Sequence, residues 1–418
     1  MKFQVNSEIG KLRAVIMQTP GPGVLRCDPL TVNSFSWDAV PSYRKATAEH
    51  EAFIKKVQQQ GTEVYSFETL LAQTLENPKA KEELIAGLLS FEAPYLQTTT
   101  LECVRTYLES LNPTDFTQQI YHGLRKEELA EHAHGISLVD WVSNNPWVLY
   151  PMTNILFTRD PAMILGDHPL FGCMYNRDRE KEPICYKTIF KYHPLFQFWD
   201  KKAWYGLDPE DTYPIEGGNC HRYAKDLVLI GVNDRTSPQA IERVSRRLMA
   251  DGQTEQVLVL AFDNPRLNAA DPMGMYLHVD MFLNHIDRDA FLFYPVIEPL
   301  ITPLLISRGA KEELKIERQE SLFGAIKKAL RLDSLRIVEV GGGKDSPYAF
   351  TEQRAGSGGN TVNLAPGVVC IWDRNEATIE ALDKAGITVI PIEADELVKG
   401  GGGPRCSTMP LWRDDLVS

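Results

Sequence analysis

Three stretches of this chain repeat one structural phrase, and that repetition limits the available folds more than any single motif does. Residues 46–67 (ATAEHEAFIKKVQQQGTEVYSF), 239–262 (QAIERVSRRLMADGQTEQVLVLAF) and 377–392 (ATIEALDKAGITVIPI) each read as an amphipathic helix, a glycine stop and a β-branched-rich strand. The stops are Gly61, Gly252 and Gly386, and a further strand precedes each helix, at 13–17, 227–232 and 368–372. Ser237, followed by Pro238, and Asn375 are placed to cap two of the helices. Such recurring modules, with extra strands between them, predict an α/β domain with internal pseudosymmetry. Residues 70–145 break the pattern. Helix formers dominate there and strand signals are few, so an inserted helical domain is expected, with 1–69 and 146–418 forming the α/β domain.

Charge and cysteine usage exclude some classes of partner. The formal net charge of −12 argues against a nucleic-acid surface and against anionic membranes, while leaving room for a local cationic pocket. The first residues lack the unbroken apolar run of a signal peptide, and nothing later approaches the roughly 20 apolar residues that span a bilayer. Seven scattered cysteines form no CxxC pair, so neither a disulfide framework nor a Cys-rich zinc site is indicated, and a cytoplasmic location is expected. Homo-oligomerisation is left open.

Four short segments carry chemistry. Residues 400–406 read GGGGPRC: glycines that permit close approach of the backbone, then Cys406 beside the cation of Arg405, which favours the nucleophilic thiolate. The plain alternative is a surface turn with an inert thiol. Phe157-Thr158-Arg159-Asp160 places an aspartate at a strand end, where it can pair with a guanidinium or simply cap a turn. Glu216-Gly217-Gly218 offers a carboxylate beside a tight turn. In His278-Val279-Asp280, period-two spacing on a strand would put imidazole and carboxylate on one face, able to shuttle protons beside a cationic ligand; a core histidine is the alternative. Together they form the Cys-His-carboxylate set that covalent catalysis on an electron-poor carbon requires. No metal ligand spacing is recognisable among these residues, and no cofactor or metal is expected.

Taken in order, these motifs resemble the arginine deiminase family of the guanidino-group-modifying superfamily. The resemblance begins at Asn6-Ser7-Glu8-Ile9-Gly10 and runs through Asn154–Asp160, Met174-Tyr175, Glu216-Gly217-Gly218, Asp234-Arg235-Thr236, His278-Val279-Asp280 and Asn360-Thr361 to Gly402-Gly403-Pro404-Arg405-Cys406. It implies a pseudo-fivefold α/β propeller of ββαβ modules with an α-helical insertion, and hydrolysis of L-arginine, or a close guanidino analogue, to citrulline and ammonia. It implies Cys406 as nucleophile, Asp160 and Asp280 as guanidinium clamp, His278 as general acid and then base, and Glu216 as an aid to binding and water activation. Arg179 and Arg235 would meet the amino-acid carboxylate, with Asn154, Phe157 and Gly400 lining the pocket. An amidinotransferase and a catalytically weak arginine-binding protein are the alternatives. Departures from the family pattern fall at Asn219, Gly401, Met281, Trp37-Asp38-Ala39 and the loop 268–274, and Asn219 and Gly401 point to weaker binding of arginine.

Overall fold

The computed structural model describes residues 3–196, 199, 201–262, 278–309 and 313–416; the loop 268–274 lies outside them. The periodic segments fold as their patterns require. The second phrase becomes helix Pro238–Ala250 and strand Gln256–Phe262. Ser237 Oγ accepts the amide hydrogen of Ala240, Pro238 opens the first turn, and Ala240, Ile241, Val244 and Leu248 form the buried stripe. The first and third phrases become helix Tyr43–Gln59 with strand Glu63–Ser66, and helix Glu376–Lys384 with strand Thr388–Ile392. The stops Gly61, Gly252 and Gly386 have φ of 81°, 67° and 78°, and a Cβ on any of them would touch nothing. The left-handed dihedral, not crowding, selects glycine there.

Asn375 is the exception. Its side chain makes no cap; Nδ2 donates instead to the carbonyls of Gly356 and Trp372. The cap comes from Glu352 in helix Ala349–Gly356, whose carboxylate accepts the amides of Ala377 (2.7 Å) and Thr378 (2.9 Å). A carboxylate at that position satisfies two orphan donors and meets the positive end of the helix dipole.

Four sheets share one strand arrangement: an antiparallel pair, a helix, then a strand parallel to the pair's second strand, the pair being a hairpin in the first three. They are Cys220–Ala224, Leu227–Val232 and Gln256–Phe262; Leu283–Asp287, Ala290–Phe293 and Arg336–Glu339; Val362–Ala365, Val368–Trp372 and Thr388–Ile392; and Met409–Arg413, Leu12–Met17 and Glu63–Ser66. The last sheet joins the two ends of the chain, and the first is extended by Ile301–Arg308 and Leu314–Arg318. A hairpin of Ala162–Leu165 and His168–Phe171 is followed by helix Glu182–Tyr192 and a parallel bridge from Leu170 to Tyr205, which repeats the order in abbreviated form. The architecture is mixed α/β.

Helices Phe67–Thr74, Pro78–Glu92, Thr98–Ser110, Pro113–His122, Lys126–Ala130 and Leu138–Val142 follow the first module, with a short strand Leu124–Arg125 among them. Their buried residues, Leu71, Leu84, Leu88 and Phe116 among them, pack in one apolar cluster with Ala14, Ile16, Phe171 and Met409 of the sheets. Burying a leucine such as Leu84 completely is worth about 1.5–3 kcal/mol, so this shared cluster ties the helices firmly to the sheets.

Candidate active site

Each site motif occupies the same place in its module: the segment just before the first strand of an antiparallel pair. Asp160 precedes Ala162–Leu165, Glu216–Asn219 precedes Cys220–Ala224, His278–Met281 precedes Leu283–Asp287, Asn360 precedes Val362–Ala365, and Cys406 precedes Met409–Arg413. These five segments are hydrogen-bonded in succession. The amide of Gly217 donates to the Asp160 carbonyl (3.0 Å), and that of Val279 to Asn219 Oδ1 (2.9 Å). Asn360 Nδ2 donates to the Asp280 carbonyl (3.1 Å), and the Arg405 amide to Asn360 Oδ1 (2.9 Å). The amide of Arg159 then donates to the Cys406 carbonyl at 3.0 Å and closes the ring.

The ring gathers the chemistry. Cys406 Sγ lies 3.8 Å from Asp280 Oδ2 and receives a contact from Asn360 Nδ2 at 3.2 Å. His278 Nε2 is 2.8 Å from Glu216 Oε2, and its Nδ1 is 3.4 Å from Asp160 Oδ1. His278 sits not on a strand, as its spacing suggested, but in extended conformation at the start of a 3₁₀ turn over Val279–Met281. The turn takes Asp280 towards the thiol while the imidazole reaches Glu216. The carboxylates are tied in turn to arginines. Arg179 Nη1 is 2.6 Å from Asp160 Oδ2, and its other nitrogens bond Glu182 and the Phe157 carbonyl. Arg235 Nη1 is 3.2 Å from Glu216 Oε2. Arg405 Nη1 is 2.7 Å from Asp280 Oδ2, with Nε and Nη2 on Glu8. Asp280 Oδ1 is buried and accepts no hydrogen bond from any described protein group.

Electrostatics corrects one expectation. Arg405 does not hold Cys406 as a thiolate: its guanidinium turns to Asp280 and Glu8, and burial, followed by the charges of Asp280 and Asp160, drives the thiol pKa well up. Burial pulls the His278 pKa down, but Asp160, Glu216 and Asp280 outweigh it and hold the imidazole above its ordinary 6.5. Burial alone would raise the Glu216 pKa; Arg235 and His278 reverse this and keep the carboxyl ionised. Burial raises the Asp280 carboxyl, and Arg405 only partly offsets it.

One cavity of about 110 Å³ is lined by Cys406, His278, Asp160, Asn154, Phe157, Arg179, Arg235 and Gly400, so these expected site residues share one space. Glu216 and Asp280 stand behind that lining, joined to it through His278 and Cys406. A Cβ on Gly400 would come within 2.8 Å of the Phe157 ring, and one on Gly402 within 2.4 Å, so both glycines are required by close packing. Asn219 lies beside the site rather than in it: Nδ2 donates to Asn233 and Thr236, a contact an aspartate could not make, while Oδ1 fixes Val279. Asn360, to which the sequence alone assigns no role, holds both the thiol and its backbone amide (3.2 Å). Its signal was positional, before the first strand of a repeat. Ligand atoms of Asp160, Glu216 and His278 lie within 4.8 Å of one another, close enough to surround a cation, but Arg179 and Arg235 already meet those carboxylates.

A mixed α/β fold that brings a thiol, an imidazole and paired carboxylates into one cavity defines a candidate thiol-dependent enzyme for a small cationic substrate. The fold is similar to that of an amidinotransferase from Microseira wollei (TM-score 0.54, 13% identity, 100% of this chain and 99% of that one). It is also similar to dimethylarginine dimethylaminohydrolase from Pseudomonas aeruginosa (TM-score 0.50, 13% identity, 96% and 99%). A family model for arginine deiminase matches residues 34–413, and arginine deiminase 1 of Staphylococcus epidermidis is 32% identical over 99% of both chains. The chain belongs to the arginine deiminase family.

Proposed function

We propose that this protein hydrolyses L-arginine to L-citrulline and ammonia through a covalent adduct on Cys406. The observation that carries the reading is the pairing of two distances: the thiol 3.8 Å from Asp280, and, in the same cavity, an imidazole 2.8 Å from Glu216. A guanidinium resists attack because its charge is delocalised, so its plane must be held over the nucleophile. Asp160 and the unoccupied acceptor of Asp280 supply the two edges of that clamp. Burial, with the charges of Asp280 and Asp160, keeps the thiol protonated; arrival of the cation offsets those charges, and the thiol proton leaves to solvent. The Sγ–C bond forms, the His278 imidazolium protonates a terminal nitrogen, and the C–N bond breaks to release ammonia. Neutral His278 then takes a proton from water. The hydroxide adds to the carbon, the C–S bond breaks, the new hydroxyl gives its proton to solvent, and citrulline departs as the thiolate is regenerated. Arg179 and Arg235 are assigned to the substrate carboxylate, and Asn154, Phe157 and Gly400 to the wall beside the carbon chain.

The same reading arranges the modules as a pseudo-fivefold α/β propeller with residues 70–145 inserted. Its support is the recurrence of antiparallel pair, helix and parallel strand, and the successive bonding of the five pre-strand segments. A cytoplasmic location suits the seven free cysteines. Among the described residues, no helix is long and apolar enough to cross a membrane. Incubation with L-arginine, followed by assays for citrulline, ammonia and ornithine, tests the function. Citrulline with equimolar ammonia supports hydrolysis, whereas ornithine together with an amidinated amine would replace it with amidino transfer.

A further inference from the structure

The mouth of the cavity carries a further ion pair. Asp38 and Arg354 both line the cavity that holds Cys406. Their side chains meet as a fork, Nη1–Oδ2 2.8 Å and Nη2–Oδ1 3.2 Å. Unlike the pairs beneath, this one is wet: the Arg354 and Asp38 side chains are 22% and 47% exposed. Asp38 is fixed from two sides. Its amide donates to the Lys399 carbonyl at 2.8 Å, which joins it to the glycine loop, and Arg354 holds its carboxylate from helix Ala349–Gly356. The next residue back on that helix, Gln353, is itself anchored by Nε2 on the Met281 carbonyl at 2.7 Å. A Cβ on Gly401 would stand 3.9 Å from Asp38 Oδ2, so the loop leaves this carboxylate uncrowded.

A guanidino amino acid with its reacting carbon on Cys406 must carry its α-substituents towards the mouth. Among the described residues, the carboxylates lining the cavity are Asp160 and Asp38. Asp160 is buried against Arg179 and His278 and is assigned to the guanidinium. Asp38 is then the acceptor placed for the α-ammonium. Resting on the reading of the site as an arginine-hydrolysing centre, we infer that Asp38 binds the substrate α-ammonium and is a specificity-determining residue. Arg354 is its positioning partner. An exposed carboxylate can share its lone pairs between a guanidinium fork and an ammonium without exposing any buried charge.

The test compares L-arginine with 5-guanidinopentanoate, which keeps the carboxylate and lacks the α-amino group. Asp38→Asn is expected to lower kcat/KM for L-arginine about tenfold, chiefly through KM, as loss of one charged hydrogen bond predicts. The same variant should change kcat/KM for 5-guanidinopentanoate less than about threefold, within the range of exposed charge effects. Arg354→Ala should show the same asymmetry more weakly, and Arg354→Lys should restore most of it. Equal losses on the two substrates, or an unchanged KM for L-arginine in Asp38→Asn, would overturn the inference. If wild-type protein forms no citrulline, the hydrolytic reading fails separately. Calorimetric binding of the two compounds to wild type and Asp38→Asn then decides the Asp38 question, with loss of discrimination in the variant supporting it and identical affinities refuting it.

Discussion

The pairs Arg405–Asp280 and Arg354–Asp38 use the same two residue types at nearly the same separation, 2.7 and 2.8 Å, yet they do different work. The first lies buried behind the cavity lining, as part of its floor's support, with side chains 1% and 0% exposed; the second lies at the mouth in contact with water. On the floor, desolvation makes every unpaired charge expensive, so Arg405 must satisfy Glu8 and Asp280 together, and Glu8 is held well below the usual carboxylate range despite burial. Such a pair fixes protonation states and geometry. At the mouth, water screens the attraction and partners can be exchanged at little cost. The medium, more than the contact, separates an architectural ion pair from one that can read a ligand.

The largest expected effect belongs to the floor's reactive atom. Cys406→Ala should cut citrulline formation by at least about 10⁴-fold, as removal of a nucleophile does elsewhere, and leave no adduct by mass spectrometry. Near-normal turnover would remove Cys406 from the mechanism. Next, Arg405→Ala should destabilise the protein by about 3–5 kcal/mol in chemical denaturation, because Glu8 and Asp280 would remain buried without their cation. If this variant were as stable as one altered at the mouth, the contrast between floor and mouth would not hold.

A pH experiment sharpens the comparison within the floor. The folded His278 pKa lies above 6.5, so the stabilisation from its imidazolium is complete below about 6.5 and is lost as pH rises through the folded value. Glu216→Gln removes the carboxylate 2.8 Å away. The alkaline limb of the kcat profile should therefore move to lower pH, and the stability gap between variant and wild type should narrow at high pH. An unmoved limb would mean that Glu216 acts only through Arg235. The smallest effect is expected at the mouth: Arg354→Ala should cost less than about 1 kcal/mol in the same denaturation experiment. A loss as large as that of Arg405→Ala would show that the outer pair also supports the fold.

Much of this protein was legible in its residue order. Amphipathic spacing and the stops Gly61, Gly252 and Gly386 located three helix–strand units, because periodicity and left-handed dihedrals are local properties. The chemical types of Cys406, His278 and Asp160 mark them as site candidates in the sequence, and all three line the cavity. What tertiary structure alone decided is where each charge points and how wet it is. Arg405 precedes Cys406 in the chain, yet its guanidinium serves Asp280 and Glu8, and the thiol is raised, not lowered, by its surroundings. Glu352 caps a helix that Asn375 was expected to cap, 23 to 26 residues distant in sequence. Asp38 and Arg354 meet across 316 residues. Sequence carries short-range geometry and chemical type; charge pairing and dielectric depend on which distant segments share a volume, and only the folded chain sets that.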